Sequence, residues 1–363
     1  MHMPFRRHTE LPDRAILPIE SELMSSDKSK LAGLGLPLFP TTSVGSFPKL
    51  PSLARTRSDF AKGKTTEAAL RAEEEKATAF WMESQEKLGL DVLVDGEQYR
   101  GDMVVYFAER MPGFVIGDLV RSYGNRYYHK PIITGEVRWR GPITVDWWKF
   151  AQKCTSKPVK GMLTGPYTVM DWSFNENYPD RKSACMALAR EIRKEVEALL
   201  EAGARIIQID EPATSVRPEE LSLVVESMQL VTEGLTGYFI THICYGAFGR
   251  IYPGMLDIPV DNFDLEMANN QLSLLDLFRE HRFRKDISFG VVDVHSHVIE
   301  EASAVDQSME RALEVLDPDQ VWVDPDCGLK TRSVEETQDK LRVVVEAARR
   351  LREQYANRSA PAL

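Results

Sequence analysis

Two hydrophobic periods alternate along most of the chain. Short runs rich in Val, Ile, Leu and Phe are apolar throughout or repeat every second residue. Longer charged segments between them place apolar residues three and four apart. Eight short runs read as strands: Phe39–Val44, Asp91–Asp95, Val159–Leu163, Arg205–Ile209, Tyr238–Cys244, Asn262–Met267, Ile287–Val294 and Gln320–Asp324. Glu67–Leu88, Lys182–Ala202 and Val334–Glu353 read as amphipathic helices. The last has Val343, Val344, Ala347 and Leu351 at helical spacing. Strands alternating with helices argue for β-α units around a parallel sheet. Eight such units predict an α/β fold of the (β/α)8 TIM-barrel type, ahead of a doubly wound open sheet.

The pattern breaks in two places. Residues 1–35 are polar, proline-containing and weakly periodic. They are expected to form an arm, with a short helix near Glu20–Met24, ahead of a single barrel domain over residues 36–363. Between the second and third strands, Gln98–Lys157 is far too long for a simple connection. A helix-like piece, Asp102–Arg110, and two β-like runs, Arg121–Tyr128 and Pro131–Arg138, predict an excursion over the barrel mouth.

Composition narrows the function classes. The 363 residues are ample for one large barrel, and the formal net charge of −10 argues against duplex nucleic acid as a partner. No apolar run approaches the roughly 20 residues that span a bilayer. Arg6 and Arg7 have no apolar stretch after them, so no signal peptide is expected. Four widely spaced cysteines, Cys154, Cys185, Cys244 and Cys327, do not form a disulfide framework, and a reducing cytoplasm is the expected setting.

The chemistry sits at the predicted strand ends, where TIM barrels place their active sites. The first strand runs into Val44-Gly45-Ser46 and the second into Asp95-Gly96-Glu97. The third ends in Thr164-Gly165-Pro166, with Trp172 beyond, and the fourth in Asp210-Glu211-Pro212. The fifth carries His242 and Cys244. These lie two apart on an extended strand, so they point to the same face. The sixth carries Glu266, the seventh ends at Asp293-Val294-His295, and the eighth at Asp324-Pro325-Asp326-Cys327. His242, Cys244, Glu266 and Cys327 would converge on one side of the mouth. Two thiolates, an imidazole and a carboxylate suit tetrahedral zinc. A sulfur-rich shell blunts Lewis acidity toward water, but a coordinating thiol ionises outright. The expected reaction is therefore alkylation of a thiol substrate at sulfur.

The motifs Thr42–Pro48, Gly89–Glu97, Asp102–Val104, Lys160–Pro166, Gln208–Ala213, His242–Tyr245 and Pro325–Arg332 together resemble the C-terminal catalytic half of cobalamin-independent methionine synthase. The resemblance runs from about Leu36 to the C-terminus in the family's order. It implies zinc on His242, Cys244, Glu266 and Cys327, and homocysteine as methyl acceptor. It implies an amino-acid pocket at Val44, Gly45, Ser46, Glu97 and Asp210, and a proton-handling role for His295. Two carboxylates suit an ammonium group, and backbone N–H with a hydroxyl suits a carboxylate.

The donor side departs from the family. Arg126 and Trp172 match its folate region, but Tyr127 stands where a cysteine is usual and Val216 where a folate-contacting glutamate is usual. On that ground the chain is expected to be a short, core-only member. Its methyl donor would be methylcobalamin or a methylated corrinoid protein rather than methyltetrahydrofolate. Another zinc thiol alkyltransferase of the coenzyme M type, or a non-catalytic partner of corrinoid proteins, are the competing readings. Coenzyme M has no ammonium for Glu97 and Asp210 to hold.

Overall fold

The structure is a computed structural model, and it describes residues 30–121, 127–244, 246 and 248–359. The described residues from Leu36 onward belong to one compact unit; residues 30–34, in a separate unit, are helical. The helix expected near Glu20–Met24 lies outside the described residues. So does Arg126.

Six parallel strands form the main sheet, in the order β3 (Gly161–Thr164), β5 (Ile206–Asp210), β6 (Tyr238–Ile243), β7 (Asn262–Leu265), β8 (Asp286–Val292) and β9 (Val321–Pro325). The first two expected strands are reduced to single bridges, Thr41 to Val323 and Leu93 to Val159. These bridges still close the ring. Val323 N–H donates to Pro40 O at 2.8 Å and Thr42 N–H to Val323 O at 3.2 Å. Asp91 and Val92 N–H donate to Thr41 O, and Lys160 N–H donates to Leu93 O at 2.9 Å. Pro40 has no N–H to give, Phe39 has φ 50°, and Asp91 Oδ2 takes both Thr41 N–H and Oγ1–H at 2.8 Å. A side chain thus replaces the ladder that a longer strand would have made. The eight-membered barrel stands, with two of its members shorter than the hydrophobic pattern suggested.

Helices pack outside the ring. α1 (Pro51–Ala61) and α2 (Glu67–Leu88) precede the Leu93 bridge. α6 (Arg181–Ala202), α7 (Leu221–Thr232), α8 (Leu274–Glu280) and α9 (Ala302–Ala312) fill successive crossovers, and α10 (Val334–Ser359) follows β9. Two of the long helices, α2 and α6, start where capping chemistry starts them: Thr66 Oγ1 accepts Ala69 N–H, and Asp180 Oδ1 accepts Ser183 N–H. Among the described residues no helix is long and apolar enough to cross a membrane.

The excursion holds α3 (Val105–Ala108), an antiparallel hairpin of β1 (Phe114–Arg121) and β2 (Tyr127–Ile133), and α4 (Val145–Lys153). The hairpin begins several residues earlier than Arg121–Tyr128 and Pro131–Arg138 suggested. β2 also pairs with a short β4 (Phe174–Asn175), which follows α5 (Pro166–Asp171). Buried Glu195 on α6 ties the excursion down. It accepts Trp139 Nε1–H at 2.7 Å, Ile143 N–H, and Thr144 N–H and Oγ1–H.

Glu211, just past β5, is a structural acid. It accepts Tyr167 N–H at 3.0 Å, and Thr168 N–H and Oγ1–H at 2.7 and 2.6 Å, which seats the start of α5. Gly165 leaves the room for it: a Cβ there would lie 2.2 Å from the Glu211 carboxyl carbon. Gly165→Ala is expected to destabilise the fold by about 2–3 kcal/mol in denaturant unfolding, and an unchanged midpoint would contradict this packing.

Burial pushes the Glu211 carboxyl up to about 7, against its hydrogen bonds from Thr168 and Tyr167. In the unfolded chain the group titrates at about 4.3. Between those values the folded state holds the extra proton, so this group's contribution to stability is lost as pH rises through about 7. Glu211→Gln removes that slope. The variant's stability relative to the parent should therefore climb between about pH 5 and about pH 8. A difference that stays constant over that range would show that Glu211 folds ionised.

Candidate functional site

The C-terminal ends of the strands open on one side of the ring, and buried polar groups collect there. His242 on β6 stands opposite Asp264 on β7, and its Nδ1 meets Asp264 Oδ1 at 2.8 Å. That contact fixes the imidazole so that Nδ1 faces the carboxylate, leaving Nε2, buried and without a hydrogen-bond partner, as the free ligand atom. Cys244 follows on the same face, one residue past β6, and Cys327 arrives from two residues past β9. One ligand atom each from His242, Cys244 and Cys327 lies within 4.8 Å of the other two. The strand spacing that pairs His242 with Cys244 is thus joined by a residue more than 80 positions away.

The protonation of this cluster is that of a cation site. Burial works to lower the His242 pKa, but the Asp264 carboxylate and then the two sulfurs outweigh it and hold it well above its ordinary range. Cys244 is held well up by its hydrogen bond to Cys327 and by burial. Cys327 is held well below its ordinary range by that same hydrogen bond, against burial. The two sulfurs thus lie close enough to influence each other's protonation. A bound divalent cation would displace protons from the sulfurs and satisfy Nε2 at once. The donor set of one imidazole and two thiolates fits zinc.

Glu266 is buried one residue beyond β7, but it stands outside this triad. The loop that carries it is held by Asp326, whose Oδ1 accepts Met267 and Ala268 N–H at 2.9 Å and whose Oδ2 accepts Asn269 N–H at 2.6 Å.

The amino-acid residues expected from the sequence lie on three neighbouring segments. A Cβ on Gly45 would sit 3.2 Å from Glu97 Oε1 and 2.6 Å from Met162 Cε, so the Glu97 carboxylate lies against the Gly45 backbone. Ser46 borders the metal segment: its carbonyl accepts Leu329 N–H at 2.8 Å, and a Cβ on Gly328 would lie 2.1 Å from Ser46 Oγ. Gln208 Nε2 donates to both Val44 O and Asp210 Oδ1 at 2.8 Å. Burial raises Asp210 to about 7, against the pull of His242 and Gln208.

Beneath the mouth lies a buried polar layer in which Asp264 was not singled out from the sequence. Buried Lys160 Nζ donates to Gln208 Oε1 at 2.5 Å and sits among the charges of Asp264, Asp324 and Asp210. Burial and the neighbouring Asp264 raise Asp324 well above its ordinary range, against the pull of Lys160. The signal for Asp264 was present in the sequence, since it lies two residues before Glu266 and so shares its face on β7.

The remaining expected residues lie at the edges. His295 is solvent-exposed in the loop after β8, with its backbone N–H on Asp293 Oδ1 at 2.8 Å. Trp172 is half-buried at the end of α5, and its carbonyl accepts the Tyr128 hydroxyl of the excursion at 3.3 Å.

Comparison with known proteins bears on these residues. A family model described as the cobalamin-independent synthase catalytic domain matches residues 39–350. A 5-methyltetrahydropteroyltriglutamate–homocysteine methyltransferase of Flavobacterium johnsoniae is 40% identical over 350 residues, covering 93% of this chain and 45% of the relative. One from Chelativorans sp. is 42% identical, covering 88% and 43%. The chain thus spans a little under half the length of these relatives. A B12-independent methionine synthase from Shewanella sp. W3-18-1, solved with selenomethionine, superposes with a TM-score of 0.78 at 26% identity, over 88% of this chain and all of that one. These names overturn the expected corrinoid chemistry: methylcobalamin as donor and a corrinoid protein as partner find no support among them. The expectation rested on Tyr127, on Val216 and on the chain's length, about half that of full-length family members. The two residues are solvent-facing, 65% and 43% exposed, where a side chain can change without altering the buried site. The chain belongs to the family of cobalamin-independent synthase catalytic domains.

Proposed function

We propose that the chain methylates homocysteine at sulfur to give methionine, with 5-methyltetrahydropteroyltriglutamate as the methyl donor and a zinc ion held by His242, Cys244 and Cys327. The observation that carries this reading is the convergence of those three ligand atoms within 4.8 Å, with His242 Nδ1 already committed to Asp264. Glu266, buried at the end of the adjacent strand but outside the triad, is the carboxylate that would complete the ligand set and exchange with a thiol. When bound, the zinc lowers the pKa of the substrate thiol so that sulfur is presented as thiolate at neutral pH.

The chain's own residues do the rest. Glu97 and Asp210 receive the substrate ammonium, and the Gly45 backbone with the Ser46 hydroxyl receives its carboxylate. Ser46 adjoins the segment carrying Cys327 and Gly45 adjoins Glu97, so the amino-acid end is anchored beside the ligands that take the sulfur. In the transfer, the S–CH3 bond forms as the donor's N–CH3 bond breaks, and the released amine nitrogen takes up a proton. His295, on the mouth-side loop after β8, is the proton-handling group. Trp172 and the excursion border the open side where a flat pterin can stack. The relatives' names support this donor.

Zinc-loaded protein supplied with homocysteine and 5-methyltetrahydropteroyltriglutamate should form methionine, and the chelated protein should not. Methionine formation independent of zinc, or supported by neither cofactor state, would sink the reading. Cys327→Ser should lower both zinc stoichiometry and turnover, and retention of both would remove Cys327 from the site. Asp264→Asn, which loses the carboxylate behind His242, should weaken zinc binding roughly 10–100-fold in chelator competition. An unaltered affinity would show that the Asp264 contact only packs.

A further inference from the structure

Glu97 stands on an unusual piece of backbone. It is a non-glycine residue with φ 53°, in the left-handed region that L side chains enter at a cost of about 1–2 kcal/mol. Neighbouring groups hold it there. Glu97 N–H donates to Asp95 Oδ1 at 2.8 Å, and its carbonyl accepts Arg100 N–H at 3.0 Å. The same carbonyl accepts the Lys49 ammonium. The next carbonyl, of Gln98, accepts Arg57 Nη2 at 2.6 Å. Two cations thus grip two successive carbonyls of the turn. Only one of them, Lys49, lies on the segment that also carries Gly45 and Ser46.

We propose that Lys49 is a positioning residue for substrate recognition: by holding the Glu97 carbonyl it keeps the left-handed turn that aims the Glu97 carboxylate across Gly45 at the substrate ammonium. The inference rests on the reading of Glu97 as the ammonium's partner. Lys49 itself does not touch the substrate. Its place is specific, because a four-carbon side chain from the Gly45 segment reaches a carbonyl on the opposite segment and stitches the two walls of the amino-acid pocket. Gln98 Nε2 stitches the same walls nearby, donating to Gly96 O at 2.8 Å and Phe47 O at 3.3 Å. Burial, then the charge of Arg57, with Lys330 adding to it, brings the Lys49 amine down to about 7, against Glu97 and Asp95. Its hydrogen bond to the carbonyl therefore stands in place of a surface charge.

The test compares Lys49→Met, Lys49→Arg and Glu97→Gln in the zinc-loaded enzyme. The probes are homocysteine as substrate and its des-amino analogue, a mercaptobutanoate, as a competitive inhibitor. Lys49→Met is expected to raise KM for homocysteine about tenfold with kcat within about twofold, while zinc content and inhibition by the des-amino thiol stay unchanged. Lys49→Arg, which can still reach the carbonyl with an N–H, should bring KM back to within about threefold of the parent. An equal loss toward both thiols, or an unchanged KM in Lys49→Met while Glu97→Gln raises it, overturns the role of Lys49 alone. If Glu97→Gln leaves KM unchanged, the ammonium reading of Glu97 fails first and the proposal with it. Should Lys49→Met not fold, Lys49→Gln carries the same comparison, with the same KM increase expected and the same outcomes overturning it.

Discussion

A carboxylate on an imidazole inside a closed ring of strands is the contact on which the site depends. Asp264 and His242 face each other across adjacent parallel strands, both fully desolvated. A buried carboxylate without a partner is costly, and a buried imidazole can serve a cation only if its other nitrogen is committed. One hydrogen bond of 2.8 Å meets both needs. The burden is then passed inward. Asp264 adjoins Asp324, whose carboxyl is pushed up by burial and by Asp264, and Lys160 supplies a positive side chain beside both. Lys160 also holds Gln208, which in turn holds Asp210 and Val44. The metal side and the amino-acid side of the mouth are thus two ends of one buried polar network. Such a network is rigid when each member is satisfied.

The Val44–Lys49 segment completes the arrangement from above. Val44 O meets Gln208, Gly45 admits the Glu97 carboxylate, Ser46 O takes Leu329 N–H beside Cys327, and Lys49 reaches the Glu97 carbonyl. Because Thr41 forms only a bridge in the barrel wall, the residues after it are free to fold across the mouth rather than continue as strand. The loss of ladder there is what gives one short peptide contacts with the metal segment, the Glu97 segment and the Asp210 strand at once.

Sequence alone determined the ring and the identity of its reactive ends. Apolar runs of four to seven residues between amphipathic helices specify buried parallel strands, because both faces of such a strand are covered, and period two on β6 sets His242 and Cys244 on one face. The ring in turn places Cys327 near them, since the C-terminal ends of parallel strands all emerge on one side. Chain pattern could not show which expected strands shrink to bridges. That turned on a proline without an N–H, a left-handed Phe39 and a side-chain carboxylate competing for Thr41. Donor chemistry inferred from Tyr127 and Val216 was overturned by the relatives and not by the fold, since two side chains do not decide which donor a large open mouth admits. The roles of Asp264 and Lys49 were not read from the sequence, and Lys160 and Asp324 were seen only as parts of motifs or strand ends. Only tertiary structure decides that a lysine is desolvated among three carboxylates, or that its ammonium meets a carbonyl 48 positions away, because burial and partnership are properties of the packed chain and not of the residue.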